Sequence, residues 1–479
     1  LGTVEFEMKP GQTDASVEIV IETGGESLEL AVGWSTAEDP TVRPLPLNRM
    51  SPGWVIPEPP TEPSDGRVAA DHPLLAGGNW ERGQRLFRSE TLGCAKCHRF
   101  DRVGGAIGPD LSNLPYRDPE SIVRDIVAPS FAINPDHLTQ AVETVDGGSF
   151  VGAVRSVDGR WVIGTAEGKE IVVEPSDVAS ITPVPTSIMP EGLIDKVRSS
   201  EPTAIADLLV YLTTVGPRMP EYGPLPVPPP IPRAEVDRVM AGGEPTTERR
   251  PLHILLVDGE KDHGLGEHDY PAWQAMWRRW LAQAEGVTVD VARDWPSAEQ
   301  WSQADTVVLF QHGTWNDERA RDVDRHFRRG GGLMLLHWAV DGGGDPEGFA
   351  ERIGLAVRST EIRYRHGPLS LDFAPGSEHP IARNLTKVDW YDESYWMLVG
   401  DRTKIAEIAV GEEEGAARPL FWTLEPQGGR VFVSILGHYA WTFDDPLFRI
   451  VALRGLAWSA GEPVDRFMPI VESGARIAD

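Results

Sequence analysis

Cysteine is almost absent: 479 residues contain two, Cys94 and Cys97. That excludes a zinc site built from two cysteine pairs. Basic residues are also scarce, with 45 Lys and Arg against 73 Asp and Glu. The resulting formal charge of −28 excludes a nucleic-acid partner, because a polyanion would be repelled. No apolar run approaches the length of a membrane helix, so no membrane span is expected. Catalytic and nucleotide signatures are missing as well: there is no G-x-S-x-G elbow, no Walker A motif, and no G-x-G-x-x-G after a strand. The chain begins at Leu1 without an initiator methionine or a signal peptide, which reads as a mature or truncated piece of a longer precursor. A hydrophobic content of 41% suffices for globular packing, and the length implies about two to four domains.

Both cysteines lie in one motif, Cys94-Ala95-Lys96-Cys97-His98. A thioredoxin-like pair would need a βαβ context that is absent around it. The spacing is that of covalent haem c attachment. Two thiols three apart on a helical turn reach two vinyl groups of one porphyrin, and the adjacent imidazole reaches the iron. A methionine as sixth ligand raises the potential of a His-ligated iron. Met189, in "PTSIMPEGL" (185–193), is the expected axial partner of His98, with His137 the nearest alternative. "NWERGQRLFRSE" reads as an amphipathic helix with Leu86 and Phe87 facing inward. "GGAIGPDLSNL" (104–114) reads as a loop that lets backbone lie against a flat macrocycle, and "TAIADLLVYLTT" (203–214) as a closing helix.

Together with "IVAPSFAINPDH" (126–137), "SIMPEGL" and "DLLVYL", this motif resembles the haem-binding domain of the Planctomycetes–Verrucomicrobia type over residues 70–216. The resemblance implies an α-helical cytochrome c domain formed by 70–138 and 183–216. Between its halves, 139–182 alternates short β-prone runs with DGG, DGR and EGK turns, and reads as a small inserted β-barrel or meander without chemistry of its own. Residues 1–51 read as a short N-terminal β segment, the remnant of an upstream domain, joined by a Pro-rich linker, 52–69. A second Pro-rich linker, 217–249, is expected to be an extended, semi-rigid spacer.

From residue 252 the pattern becomes β-α-β-α, with continuous Val/Leu strands. It indicates a doubly wound α/β domain, flavodoxin- or amidotransferase-like, whose parallel sheet is covered on both faces. Ligands bind beyond the carboxyl ends of such strands. Four strand ends each deliver histidine there: His263 and His268 after "LHILLVDG", His312 after "VVLF", His337 after "LMLL", and His438 after "RVFVSILG". His253 and His326 fall inside a strand start and a helix and read as structural. Twelve of the 16 tryptophans follow residue 250. Trp273, Trp277 and Trp280, at helical spacing, read as core, whereas Trp338 and Trp441 fall near strand ends, where aromatic faces suit sugar rings. With both thiols committed to haem and no serine elbow, acid–base chemistry by histidine and carboxylate remains, with or without a metal.

Five blocks, "HILLVDGEKDHGLGEHDYPAW", "GGGLMLLHWA", "EHPIARNL", "DWYDESYW" and "GRVFVSILGHYAWTFDDPLFR", are similar to a ThuA-like (trehalose-utilisation) domain over 250–465, leaving 466–479 as a C-terminal tail. The resemblance implies a class I glutamine-amidotransferase-like fold. His337 then stands near the relatives' cysteine elbow, so amidotransferase chemistry is lost. The resemblance also implies sugar catabolism through 3-keto-glycosides.

The expected protein is a periplasmic c-type cytochrome, with Cys94, Cys97, His98 and Met189 holding haem c, coupled to a sugar-processing domain. Periplasmic placement follows because thioether attachment requires assembly outside the cytoplasm. His337 or His263 is the expected base, with His438 and Glu393 as electrophilic, metal-binding or orienting partners. His268, His312, Trp338, Tyr395 and Trp441 are expected to contact substrate. Three histidines and a carboxylate (His263, His337, His438 and Glu393) would suit a divalent metal. The expected partners are a keto-glycoside and a redox protein such as a sugar dehydrogenase or another cytochrome. The alternative is an electron-transfer cytochrome with a non-catalytic carbohydrate-binding or docking domain.

Overall fold

The computed structural model describes residues 67–243 and 249–478, together with 33–34 and 43–44. In the expected N-terminal β segment, Gly33–Trp34 pairs antiparallel with Arg43–Pro44. The remainder of 1–51 and nearly all of the 52–69 linker lie outside the described residues.

The first described region is helical. Asn79 accepts a hydrogen bond from Arg82 N and so starts α1 (Trp80–Arg88), because a side-chain acceptor satisfies an otherwise orphaned first-turn N–H. α2 (Cys94–Cys97) is a single turn, and α3 (Pro119–Val127) opens on the Asp118 cap. α4 (Ala204–Thr213) packs against α1. The approach is close because position 83 is glycine: a Cβ there would lie 2.0 Å from Asp207 O. Leu86 and Phe87 are buried as expected, and Trp80, Phe87 and Phe100 surround Tyr211 with centroids 5.0–5.5 Å from its ring. Asp207 is fully buried, yet it accepts from Asn79 N, the Arg82 guanidinium and Thr203 Oγ1. A carboxylate so saturated can be carried in a core.

The insert is a meander. Its strands are β1 (Thr139–Thr144), β2 (Ser149–Val157), β3 (Arg160–Gly164), β4 (Glu170–Val173) and β5 (Val178–Pro183). They form an antiparallel sheet in the order β4-β3-β2-β1-β5, with Val142, Ile163 and Val173 as its own small core. The last strand returns beside the first, so the insert enters and leaves at one place.

The C-terminal region is built on one nine-stranded sheet. Its strands are β6 (Leu252–Asp258), β7 (Val287–Arg293), β8 (Thr306–Phe310), β9 (Gly332–Leu336), β10 (Arg363–Asp372), β11 (Lys387–Trp396), β12 (Ala406–Glu413), β13 (Ala416–Leu424) and β14 (Arg430–Ser434). The order is β7-β6-β8-β9-β14-β13-β12-β10-β11. The first five are parallel and the last four antiparallel. Crossover helices are α6 (Tyr270–Leu281), α7 (Ala298–Gln303), α8 (Asp317–Arg328) and α9 (Pro346–Ile353), followed by α10 (Pro446–Ser459). Trp273, Trp277 and Trp280 are fully buried along α6. β10 meets β12 at the single pair Asp372–Val410, so β10 and β11 splay from the sheet.

Two expectations are corrected here. Within the Pro-rich stretch 217–249, the described residues 217–243 lie along the α/β domain and do not stand off as a spacer. Met219 N and Tyr222 OH both donate to Asp444, itself ion-paired with Arg449, and both members of that pair are fully buried. Ile231–Pro232 pairs with Ile477–Ala478, and α5 (Arg233–Met240) buries Val236 and Val239. Extended, proline-rich backbone has free carbonyls and apolar rings, which suit it to lying on another surface as well as to bridging. Nor are residues 466–478 a tail: Phe467, Ile470 and Val471 are fully buried. The helical region also abuts the α/β domain through Arg85–Glu285, Arg249–Glu81 and Glu81 N to Gln283 O. Among the described residues no helix is long and apolar enough to cross a membrane.

Candidate metal centre and cysteine-lined cavity

Four buried side chains, His268, His337, Glu393 and His438, meet beyond the carboxyl ends of the parallel strands, each offering one ligand atom, all within 4.8 Å of one another. His337 follows β9 directly and has φ +54°, and His268, in the loop after β6, has φ +42°. Left-handed backbone at a non-glycine residue costs free energy and marks positions the surrounding structure enforces. Here that structure is identifiable. His268 N donates to His438 O (3.0 Å) and Ala440 N to Gly266 O (2.8 Å), zippering two loops. Asp392, fully buried, accepts from Gly437 N (3.2 Å) and His438 N (3.0 Å). Its neighbour Glu393 reaches His438 Nδ1 (2.9 Å) and His337 Nε2 (3.3 Å), so β11 folds back over the strand ends.

Two imidazole acceptors face each other in this cluster, with Tyr395 OH 2.8 Å from His337 Nε2 and His438 Nδ1 3.0 Å from His268 Nε2 as the nearest protein donors. His337 Nδ1 must donate, since its partner is the carbonyl of Ile435 (2.7 Å). His268 Nδ1 faces the Asp262 carboxylate (2.9 Å). Both Nε2 atoms therefore carry lone pairs, and they face each other at 2.7 Å. Burial would raise the Asp262 carboxyl, but bonds to His268 and His263 outweigh it and hold it well below the usual range. Burial likewise opposes ionisation of Glu393, yet His337 and His438 hold it well below its ordinary value. His268 is driven down to about 3, chiefly by burial, with neighbouring imidazoles adding. His438 Nε2 is buried without a hydrogen-bond partner. Three imidazoles and a carboxylate converge on one point, with outer nitrogens of His268 and His337 fixed on a carboxylate and a backbone carbonyl, a donor set that could hold a metal ion.

Residues 254–459 match the family model described as ThuA, trehalose utilisation. The chain carries a ThuA-like domain. Among solved structures, a ThuA-like protein from Parabacteroides merdae ATCC 43184 shares 20% identity, covering 44% of this chain and 91% of that one, with a TM-score of 0.36. One from Bacteroides uniformis ATCC 8492 shares 15%, covering 47% and 100%, with a TM-score of 0.38. No curated protein matches the chain.

Within the ThuA-like domain the expected residues divide. His337, His438 and Glu393 are in the cluster, but His263 is not: it is partly exposed, with Nδ1 on Asp262 (2.8 Å), and His268 occupies the fourth place. Tyr395 is buried, its hydroxyl 2.8 Å from His337 Nε2 and 3.0 Å from Glu393 Oε2. His312 bridges Asp341 (3.1 Å) and Asp262 (3.3 Å) and meets Trp338 edge-on. The bond to Asp341 raises its pKa. Trp441 offers no ring face to a ligand, being buried, stacked on Tyr439 at 4.3 Å, and bonded through Nε1 to Tyr391 O. His253 and His326 are bonded to Asp290 and Gly332 O, away from the cluster.

Sequence reasoning missed Asp262, Asp392 and His366. His366 lies opposite Glu393 in the β10–β11 register, and its Nδ1 is 3.2 Å from Tyr439 OH. The one available signal was the alternation of "RYRHGPLSLD", which reads as a strand but does not name its partner.

In the helical region, Cys94, Cys97, His98 and Met189 all line one cavity of about 710 Å³. Apolar side chains, including Ile107, Ile122, Leu208 and Leu212, complete it. Burial pushes the Cys94 thiol up to about 11 and raises Cys97 as well. His98 Nδ1 donates to Pro109 O (3.0 Å), which leaves Nε2 as the free acceptor. Gly108 lies flat against that ring: a Cβ there would be 2.6 Å from His98 Cε1.

Proposed function

We propose that this chain is an extracytoplasmic c-type haem protein whose ThuA-like domain is a metal-dependent enzyme acting on a keto-glycoside. The observation that carries the enzymatic reading is the His268–His337 pair, two Nε2 lone pairs 2.7 Å apart beside Glu393. His268, His337, His438 and Glu393 would hold a divalent cation of the zinc class. Such a cation, when bound, supplies Lewis-acid polarisation of a substrate carbonyl.

The surrounding residues support a proton abstraction. A 3-keto group acidifies the neighbouring C2–H of a glycoside. His263, oriented through Nδ1 by Asp262, has Nε2 available to take that proton. The C2–H electrons form a C1–C2 double bond and the C1–O bond breaks, its electrons leaving with the aglycone oxygen, which then takes up a proton. His337, expected as a base, is unsuited to that role, since it is fully buried and both nitrogens are engaged. Tyr364 and Tyr391, both exposed, share the face of β10–β11 that carries Glu393, and such rings suit the apolar faces of sugars.

The cavity donors fit a haem. Cys94 and Cys97 would carry it, His98 through Nε2 and Met189 through sulfur would ligate iron, and the volume lies within the range of cofactor sites. Bound haem supplies one-electron transfer, with a sugar dehydrogenase or another cytochrome as partner. Thioether attachment of that haem would require assembly outside the cytoplasm, which supports the extracytoplasmic reading.

The test is aglycone release from an aryl 3-keto-glucoside by the full chain. Turnover abolished by a chelator and restored by zinc is expected. A metal-loaded, folded protein that binds the sugar without releasing aglycone would leave a binding domain on an electron-transfer protein.

A further inference from the structure

Eleven of the twelve histidines engage a ring nitrogen in a hydrogen bond. His137 has no hydrogen-bond partner among the described residues, and it lines the same cavity as His98 and Met189. His137 is half-buried at this largely apolar wall, so its ring nitrogens are uncommitted to protein and open to a ligand.

The inserted meander places it there. β1 begins at Thr139, two residues after His137, and β5 ends at Pro183, six residues before Met189. The two strands pair from Gln140–Pro183 onward, and Val184 N donates to Thr139 O at 2.8 Å. The loops leaving this shared base are joined again farther out, where Ser187 N donates to Ser130 Oγ (3.1 Å), and Met189 N donates to Ser187 Oγ (3.1 Å). The insert is thus a clamp at the root of two segments, each carrying one iron-ligating side chain to one cavity.

We propose that His137 is a second axial ligand, competing with Met189 for the coordination position that His98 leaves open, an inference that rests on the haem reading above. Exchange breaks one iron–sulfur bond and forms one iron–nitrogen bond, and a neutral imidazole entering this way brings no change in electrons or protons. Imidazole favours the ferric state, whereas thioether ligation raises the potential. Oxidation therefore draws His137 in and reduction restores Met189, so the module has two potentials set by two loops on one clamp.

The experiment uses the full chain matured with covalent haem, with ligands read by near-infrared magnetic circular dichroism and electron paramagnetic resonance, and potentials by redox titration. Ferric wild type is expected to contain a fraction with two nitrogen ligands. Met189→Ala stays low-spin with two nitrogen ligands and a lower midpoint potential. His137→Ala shows sulfur ligation alone, and the double variant becomes high-spin. A high-spin ferric Met189→Ala protein with His137 intact would overturn the proposal. Failure of haem to attach at all with Cys94 and Cys97 present would instead overturn the haem reading itself, and is told apart by the absence of a haem spectrum in every variant.

Discussion

The Nε2 atoms of His268 and His337 lie 2.7 Å apart, each ring held from behind, by Asp262 and by the Ile435 carbonyl. Neither buried ring can turn away without giving up its acceptor. The pair is therefore held in one geometry, and the left-handed backbone at both residues fits a site held by its surroundings.

Metal content follows directly. Protein purified without chelator should contain about one divalent ion per chain at this cluster, and chelation should lower its melting temperature by linkage. Glu393→Gln and His337→Ala should each abolish stoichiometric binding. Elemental analysis of the three proteins checks this, and equal metal content in all of them would refute it.

Gly108→Ala tests the second site. The added Cβ would meet the His98 ring at 2.6 Å, so the ring would have to move. Haem should still attach through Cys94 and Cys97, but His98 ligation should be lost, seen as a high-spin signal in the reduced spectrum. An unchanged low-spin spectrum would show that the ring has room to move.

The Pro-rich strap should depend on Asp444. Asp444→Ala removes the acceptor of Met219 N and Tyr222 OH and strands Arg449, a loss of about 3–5 kcal/mol for a buried pair broken on one side. Trypsin should then cut at Arg218 well before the rest of the chain unfolds, while wild type resists. Tyr222→Phe, a milder change, should give intermediate cleavage. Equal cleavage of all three would mean the strap is not held there.

Stability should fall in mild acid through His326. Burial drives its pKa down to about 4, and Arg329 donates to Nδ1 while Nε2 donates to Gly332 O, so the folded protein holds it neutral. The unfolded chain binds a proton near pH 6.5. Stability is thus fully present above about pH 6.5 and declines toward pH 4, by roughly 3 kcal/mol from this residue. Urea midpoints across that range should show the slope, and His326→Gln should make it shallower, the remainder coming from other buried histidines such as His268.

How much of this was legible in the sequence depends on the range of the interaction involved. The CxxCH spacing, the amphipathic helix with Leu86 and Phe87, the α6 tryptophan stripe and the β-α alternation are local patterns. Each is set by a period of two or 3.6 residues or by a fixed covalent reach. The strand-end rule extended that far enough to gather His337 and His438, because topology dictates where such loops meet.

The exchange of His263 for His268 could not be read locally. Both lie in one loop, and the choice rests on a backbone zipper to residues 438–440 and on a left-handed turn at His268. His366 and Asp392 entered the site through the β10–β11 register and a fold-back of that pair. The Pro-rich strap was misread because proline restricts the conformation of a segment and leaves its neighbour unspecified.

The sequence by itself determined which side chains are available: two thiols in a CxxCH motif, histidines at strand ends, and a formal net charge of −28. Only the tertiary structure decided which histidines share a centre and which loops the inserted meander clamps together. Side-chain identity and local period are written in neighbouring residues. Hydrogen-bond partners are chosen among groups far apart in the chain, 170 positions for His268 and His438 and 225 for Met219 and Asp444, and that choice is made only when the chain packs.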